Sequence, residues 1–165
     1  MGRTSRDVRP VMANNIVVAT LGDFLSRSGF RKKGSSSWYR RDDDLVTIVN
    51  LQKSQYGPLY YLNYGFWLLA VAEAEFPRPE QAHITTRVES AIDDRSEGRL
   101  NRLLDLRTDI DEATRRTELD ALLTDDFLPL LMSLRSVSDL KARVPWLTGG
   151  RFLLDGSAQA LLGIH

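Results

Sequence analysis

Cysteine is absent from the 165-residue sequence, and histidine occurs only twice. Without cysteine, disulfide bonds, thiolate metal sites and a cysteine nucleophile are all excluded. The carboxylates show neither EF-hand spacing nor the H-E-x-x-H pattern. We therefore expect no metal ion and no cofactor, and a reducing compartment fits the composition.

Long hydrophobic runs are also missing. The longest, residues 64–72, is far shorter than the ~20 apolar residues that span a bilayer. Arg3, Arg6 and Arg9 lie near the amino terminus, but the apolar segment of a secretory signal does not follow them. We therefore expect a cytoplasmic protein that does not insert into a membrane.

The net charge is zero, but the two signs are unevenly distributed. Up to residue 55 there are ten Lys and Arg against five Asp and Glu, and from residue 56 onward twelve against seventeen. This asymmetry predicts either an anion-facing patch near the amino terminus or two solvated faces that partly pair with each other.

The order of predicted elements is one helix, then strands, then further helices. Helical spacing over residues 8–28 ends at Gly29. Strands are predicted over 38–41, 45–53, 59–70 and 84–92, with a weaker one over 103–107. Beyond residue 109, leucines at helical intervals predict a helix divided at Pro129, then one that begins after Ser136 and stops at Pro145. A last helical turn is expected over 157–162.

This order predicts a single α+β domain over residues 1–165. We expect a four- to five-stranded antiparallel sheet, a meander, with the amino-terminal helix and the carboxy-terminal helices packed on one face. Residues 1–7 should be disordered, and residues 145–165 should form a peripheral tail. The alternate residues predicted to face the core are Tyr60, Leu62, Tyr64, Phe66 and Leu68.

Several sequence blocks resemble a bacterial family, the domain-of-unknown-function family 4304. They are GFRKKG at 29–34, WYR at 38–40, VNLQKSQYG at 49–57, YLNYG at 61–65 and HITTR at 83–87. The similarity covers about residues 21–134. Leu103 and Leu104 replace the family's paired aromatics, and Ala82 replaces its cysteine. The resemblance implies the α+β fold and a bacterial origin, and it implies no activity.

A first candidate site is polar and lies at the exposed end of the predicted sheet. A cleft of amides with one histidine and one arginine could hold an anionic or amide-bearing ligand, or the backbone of a partner. The alternative is that the amides satisfy strand-edge groups and the histidine closes a loop. The residues are Asn50, Gln52, Asn63, His83 and Arg87.

A second candidate is a basic segment interleaved with aromatic residues. Cations neutralise phosphates and aromatic faces stack on bases, so residues 27–41 could bind single-stranded nucleic acid. The zero net charge and the adjacent aspartates at 42–44 argue against it. The candidate anion-binding residues are Arg31, Lys32, Lys33, Arg40 and Arg41.

The sequence favours a non-enzymatic module that engages another protein, of an immunity or regulatory type, through the outer face of the sheet. Tyr61 and Trp67 are expected to lie exposed on that face. The alternative is a small-molecule enzyme or ligand-binding protein that uses His83 and Arg87, although catalysis by His83 would need a nearby carboxylate. Nucleic-acid binding ranks third, and a homodimer is left open.

Overall fold

A six-stranded antiparallel meander forms the centre of the fold. The computed structural model describes residues 15–94 and 97–165, and its strands follow one another across the sheet in chain order. The α+β class and the antiparallel sheet are thus confirmed, with six strands rather than four or five. The strands are β1 (Arg31–Lys33), β2 (Ser37–Arg41), β3 (Leu45–Lys53), β4 (Tyr60–Leu68), β5 (Ile84–Arg87) and β6 (Leu153–Leu154).

Of the described helices, one precedes the strands, six lie between β5 and β6, and one follows β6; a 3₁₀ turn, Pro79–Gln81, precedes β5. The first described helix begins after Asn15, whose Oδ1 accepts a hydrogen bond from the Val18 amide at 2.9 Å. The described helices are α1 (Ile16–Arg27), α2 (Val88–Ala91), α3 (Arg99–Leu104), α4 (Glu112–Leu122), α5 (Leu128–Ser133), α6 (Val137–Lys141), α7 (Val144–Leu147) and α8 (Gly156–Leu162).

Two predicted strands are partly helical. Residues 84–92 remain a strand only as far as Arg87, where α2 begins. Residues 103–107 overlap α3, and only Asp105 makes an isolated bridge, to Leu59. The reason is burial: the three leucines of α3, at 100, 103 and 104, recur at helical spacing and all enter the core.

The long helix has two α-helical segments, as predicted, and Pro129 lies in the first turn of the second, α5. A π-helical turn, Leu123–Phe127, joins α4 to α5. A wider turn accommodates proline, which has no N–H to donate and collides with the carbonyl of the preceding turn. Likewise Pro145 lies in the first turn of α7 instead of ending α6, whereas the predicted cap by Ser136 is present.

The two faces of the sheet are covered unequally. The inner face packs against α1 and the carboxy-terminal helices, and the predicted core residues Tyr60, Leu62, Tyr64, Phe66 and Leu68 are all buried there. The outer face carries only a small second cluster, in which Tyr39, Val46 and Ile48 pack against Trp67 and Phe76. The rest of the outer face therefore stays accessible.

The segment expected to be a peripheral tail is part of both the sheet and the core. Strand β6 pairs with β5, and Leu147, Phe152, Ala158 and Leu162 are buried in the main cluster. The expectation for residues 1–7 lies outside the described residues. Across residues 15–94 and 97–165, no helix has the length and apolar character needed to cross a membrane.

Candidate functional site

A row of polar side chains crosses four neighbouring strands on the outer face. In the antiparallel register, Ser37 pairs with Asn50, Asn50 with Asn63, and Asn63 with Arg87. Paired residues of an antiparallel sheet point to the same face. The polar row therefore runs from β2 to β5, one residue from each strand.

Hydrogen bonds fix the amides of this row. The Nδ2 of Asn63 donates to Oδ1 of Asn50 and to Oε1 of Gln52, both at 3.1 Å. The Nδ2 of Asn50 donates to the Ser37 hydroxyl at 3.0 Å and to the Ser36 carbonyl at 3.2 Å. Among the described residues, the Asn63 Oδ1 acceptor and the Gln52 Nε2 donor take part in no hydrogen bond. One acceptor and one donor are thus held in place and remain free.

Arg87 ends the row as a cation without a counter-ion in the described part of the chain. Its guanidinium lies over the Tyr61 ring, 4.2 Å from the centroid, and the residue is half-buried. Stacking on an aromatic face orients a guanidinium and leaves its edge donors available. Arg87 is therefore an oriented cation at the end of the polar row.

The polar row borders a cavity of about 740 Å³. Asn50, Gln52, Asn63 and Arg87 all line it, so four of the five residues of the first candidate site come together. On the other side of the row, Ile48 and Gly65 form an apolar floor. The cavity therefore has one polar and one apolar half.

Gly65 is required by the close approach of β4 and β5. A Cβ atom at this position would lie 2.4 Å from the carbonyl oxygen of Ile84, which is well inside van der Waals contact. No side chain can therefore fill the space above Gly65. The bare backbone there makes the floor of the cavity flat.

Further charged groups line the cavity away from the row. Arg151 is paired with Asp93, with 3.0 Å between its Nη2 and Oδ1. Glu80 lines the cavity from the 3₁₀ turn and is exposed to solvent. Sequence reasoning did not select either residue, because nothing in the pattern signals that β6 and this turn return to the sheet.

His83, the fifth residue of the first candidate site, is not among the residues that line the cavity. Its Nδ1 accepts a hydrogen bond from the Leu68 amide at 2.9 Å, and its ring packs on Trp67 with 4.2 Å between centroids. Burial lowers the pKa of His83, and the charge of Asp155 opposes the shift. These contacts hold the start of β5 against the end of β4.

Trp67 and Tyr61 are both half-buried on the outer face, not fully exposed as expected. The indole of Trp67 packs in the second cluster and donates to the Ala72 carbonyl at 2.7 Å. The face of Tyr61 carries the Arg87 guanidinium. Both rings are therefore engaged by the chain itself.

The basic candidate residues do not form one surface. Arg40 points to the inner face, where it is buried and its Nη2 donates to the Leu131 carbonyl at 2.7 Å. Burial lowers the pKa of Arg40, although Asp42 opposes this. Arg41 pairs with Glu73. On the edge strand β1, the cations of Arg31 and Lys33 lie over Phe76 and that of Lys32 over Trp38.

Metal-ligating side chains are not clustered in the described part of the chain. Within residues 15–94 and 97–165, no three His, Cys, Asp or Glu residues are placed to hold a metal ion.

The fold and the cavity define an α+β domain whose sheet is buried on one face and carries an open, amide-lined pocket on the other. A family model, the domain of unknown function DUF4304, matches residues 21–133. The match spans more than half of the 165 residues, so the chain belongs to this family. No curated protein and no solved structure gave a significant match.

Proposed function

We propose that this domain binds a small anionic ligand in the outer-face cavity, with Arg87 as the charged anchor. The observation that carries the proposal is the guanidinium of the half-buried residue Arg87, which is stacked on Tyr61 and unpaired among the described residues, at the edge of a cavity of about 740 Å³. A half-buried cation without a counter-ion favours an anion that can reach it.

The size and lining of the cavity support the same proposal. Small-molecule sites typically measure about 300–1,000 Å³ and combine apolar walls with a few fixed polar groups. Here the amides of Asn50 and Asn63 are fixed by their own hydrogen bonds. A ligand would therefore meet donors and acceptors that need no rearrangement, which lowers the entropic cost of binding.

Engagement of a partner protein through the outer face stays a prediction with less support. It rested on exposed Tyr61 and Trp67, and both rings are occupied by contacts within the chain. We place the protein in the bacterial cytoplasm as part of the proposal, because its sequence resemblance and cysteine-free composition favour that location.

The proposal is tested by thermal unfolding of the full chain in a panel of monocarboxylates, dicarboxylates, phosphate monoesters and sulfonates. At a concentration 100 times its Kd, a ligand adds ~2.7 kcal/mol to the free energy of unfolding. That corresponds to a rise in Tm of roughly 5–10 °C for a chain of this size. We expect Arg87→Gln to weaken binding about tenfold or more, because it removes a charge-assisted hydrogen bond.

The matched control is Arg78→Gln, which makes the same charge change at an exposed residue outside the cavity. It should leave binding unchanged. If no anion in the panel raises the Tm, or if both variants respond as the unaltered protein does, the cavity is not an anion-binding site.

A further inference from the structure

We propose that the ligand is an N-acylated α-amino carboxylate with a flat apolar side group, either free or at the carboxyl end of a peptide. This inference rests on the proposed function and narrows its ligand class. Three features of the cavity carry it: its charge, its free amide groups and its bare floor.

The charge around the cavity fits a single negative charge. Arg87 is its one lining cation that no described residue neutralises, because Arg151 is paired with Asp93. Glu80 also lines the cavity, and its carboxylate repels a second negative charge on the ligand. A planar monoanion, such as a carboxylate, matches the edge donors of one guanidinium.

The free groups of Gln52 and Asn63 match a secondary amide. Because Asn63 donates to Gln52, the two side chains lie together and present one donor, Nε2 of Gln52, and one acceptor, Oδ1 of Asn63. A secondary amide offers the complementary carbonyl and N–H. An amide next to the carboxylate is the arrangement found in an N-acylated amino acid.

The apolar half of the cavity lies two residues further along the strands than the polar row. Gly65 follows Asn63 by two residues on β4, which places it roughly 6.8 Å along the same face. Gly65 itself has no side chain, and the atoms nearest to its missing Cβ are backbone atoms of β5. Its cross-strand neighbours are Ile48 and Thr85, and Ala82 and Leu153 also line this part of the cavity. A flat ring can pack on strand backbone that carries no side chain, because both surfaces are flat. A carboxylate at Arg87 thus leaves an attached ring above Gly65.

The test is an NMR titration of the ¹⁵N-labelled full chain. The probes are N-acetylphenylalanine, its primary amide, N-acetylglycine, phenyl phosphate, and a five-residue peptide that ends in phenylalanine. We expect N-acetylphenylalanine to shift the amide signals of Asn63 and Arg87. The uncharged amide and the ring-free N-acetylglycine should each bind about tenfold more weakly.

Two substitutions assign these losses to the cavity. In Arg87→Gln, the acid and its amide should bind within about twofold of each other. Leu153→Ser should weaken N-acetylphenylalanine but not N-acetylglycine, and Leu153 is 78% exposed, so the fold should tolerate it. Met132→Ser is the control, because Met132 is also exposed, at 55%, but lies outside the cavity.

The outcomes separate this inference from the proposed function. Tighter binding of phenyl phosphate overturns the ligand class while the anion site stands. Equal binding of the acid and its amide to the unaltered protein shows that the charge is not recognised, and so contradicts the anion site as well. Failure of every anion in both panels removes the proposed function as well. If the peptide binds more tightly than N-acetylphenylalanine, the N-acylated α-amino carboxylate is supported and the ligand is the carboxyl end of a protein. If the peptide binds more weakly, the ligand is a free small molecule.

Discussion

Gly65→Ala is the sharpest test of how the cavity is built. The substitution adds a single methyl group on the outer face of β4, directly opposite the backbone of β5. The new Cβ would lie 2.4 Å from the Ile84 carbonyl oxygen, whereas ordinary contact begins near 3.4 Å. Strand β5 must therefore move away from β4 by about 1 Å.

The cost of this movement follows from two contributions. Overpacking by one carbon in a closely packed region costs about 1–3 kcal/mol. Lengthening the hydrogen bonds between β4 and β5 adds roughly 1 kcal/mol. We therefore expect the free energy of unfolding to fall by about 2–4 kcal/mol, and the Tm to fall by roughly 4–16 °C.

Urea unfolding followed by circular dichroism measures the loss directly. Gly156→Ala is the matched control, because a Cβ at this helical position meets nothing within 4 Å. It should leave stability unchanged or raise it by up to about 1 kcal/mol. If Gly65→Ala lies within about 0.5 kcal/mol of the unaltered protein, the close approach of the two strands does not constrain position 65.

Three further changes test the remaining fold contacts. Arg115 is 2% exposed and donates hydrogen bonds to the carbonyls of Leu103 at 2.7 Å and Thr108 at 3.0 Å. Arg115→Met should therefore lower the free energy of unfolding, measured in urea, by about 3–5 kcal/mol. A loss below about 1 kcal/mol would contradict this. Burial lowers the pKa of His83 in the folded protein below its ordinary value of 6.5. Neutral His83 therefore stabilises the fold fully above pH 6.5, and this contribution is lost as the pH falls from 6.5 through the pKa of the folded state. His83→Gln should therefore flatten the dependence of unfolding free energy on pH between 5 and 7, and an unchanged slope would point to other groups. Ser136→Ala removes the cap of α6 and should cost about 1 kcal/mol in the same assay, whereas no loss would show that the cap is dispensable.

The sequence was most informative where turns were strongly marked. The prediction for β3 agrees at both ends, because aspartates at 42–44 precede it and the Gly57-Pro58 turn follows it. Residues 84–92 were harder for a physical reason. Ile84, Val88 and Ile92 are spaced by four, and this spacing fits the period of a strand and nearly fits that of a helix. Only the packing of α2 decides between a strand and a helix for these residues.

The shortest strands could not be predicted from local pattern. Strands β1 and β6 have three and two residues, and each exists because its neighbour offers hydrogen-bonding groups. Arg31 and Lys33 on β1 are exposed, so the strand has no hydrophobic alternation. The charges there also protect an edge that would otherwise pair with another chain.

The candidate site could be predicted where it depends on strand parity, that is, on the alternation of side chains between the two faces of a strand. Asn50 and Gln52 share a face because they are two residues apart, and Asn63 joins them through the register of β3 and β4. The same parity argument placed His83 beside Arg87, four residues later. His83 does lie on this face, where it packs on Trp67. It precedes the first residue of β5, however, so it lies at the other end of that strand from Arg87 and outside the cavity. Arg151 depends on β6 and had no local signal.

Alternation along β4 separates the requirements of the fold from those of the cavity. Tyr64 and Phe66 point into the core, while Asn63 and Gly65 border the cavity. A substitution at Asn63 therefore changes the polar lining of the cavity without removing a core contact. Gly65 is the exception, because its lack of a side chain serves both the approach of β5 and the flat floor. The polar groups that the cavity presents can thus vary through the row, whereas the shape of its floor is fixed by the close approach of β4 and β5.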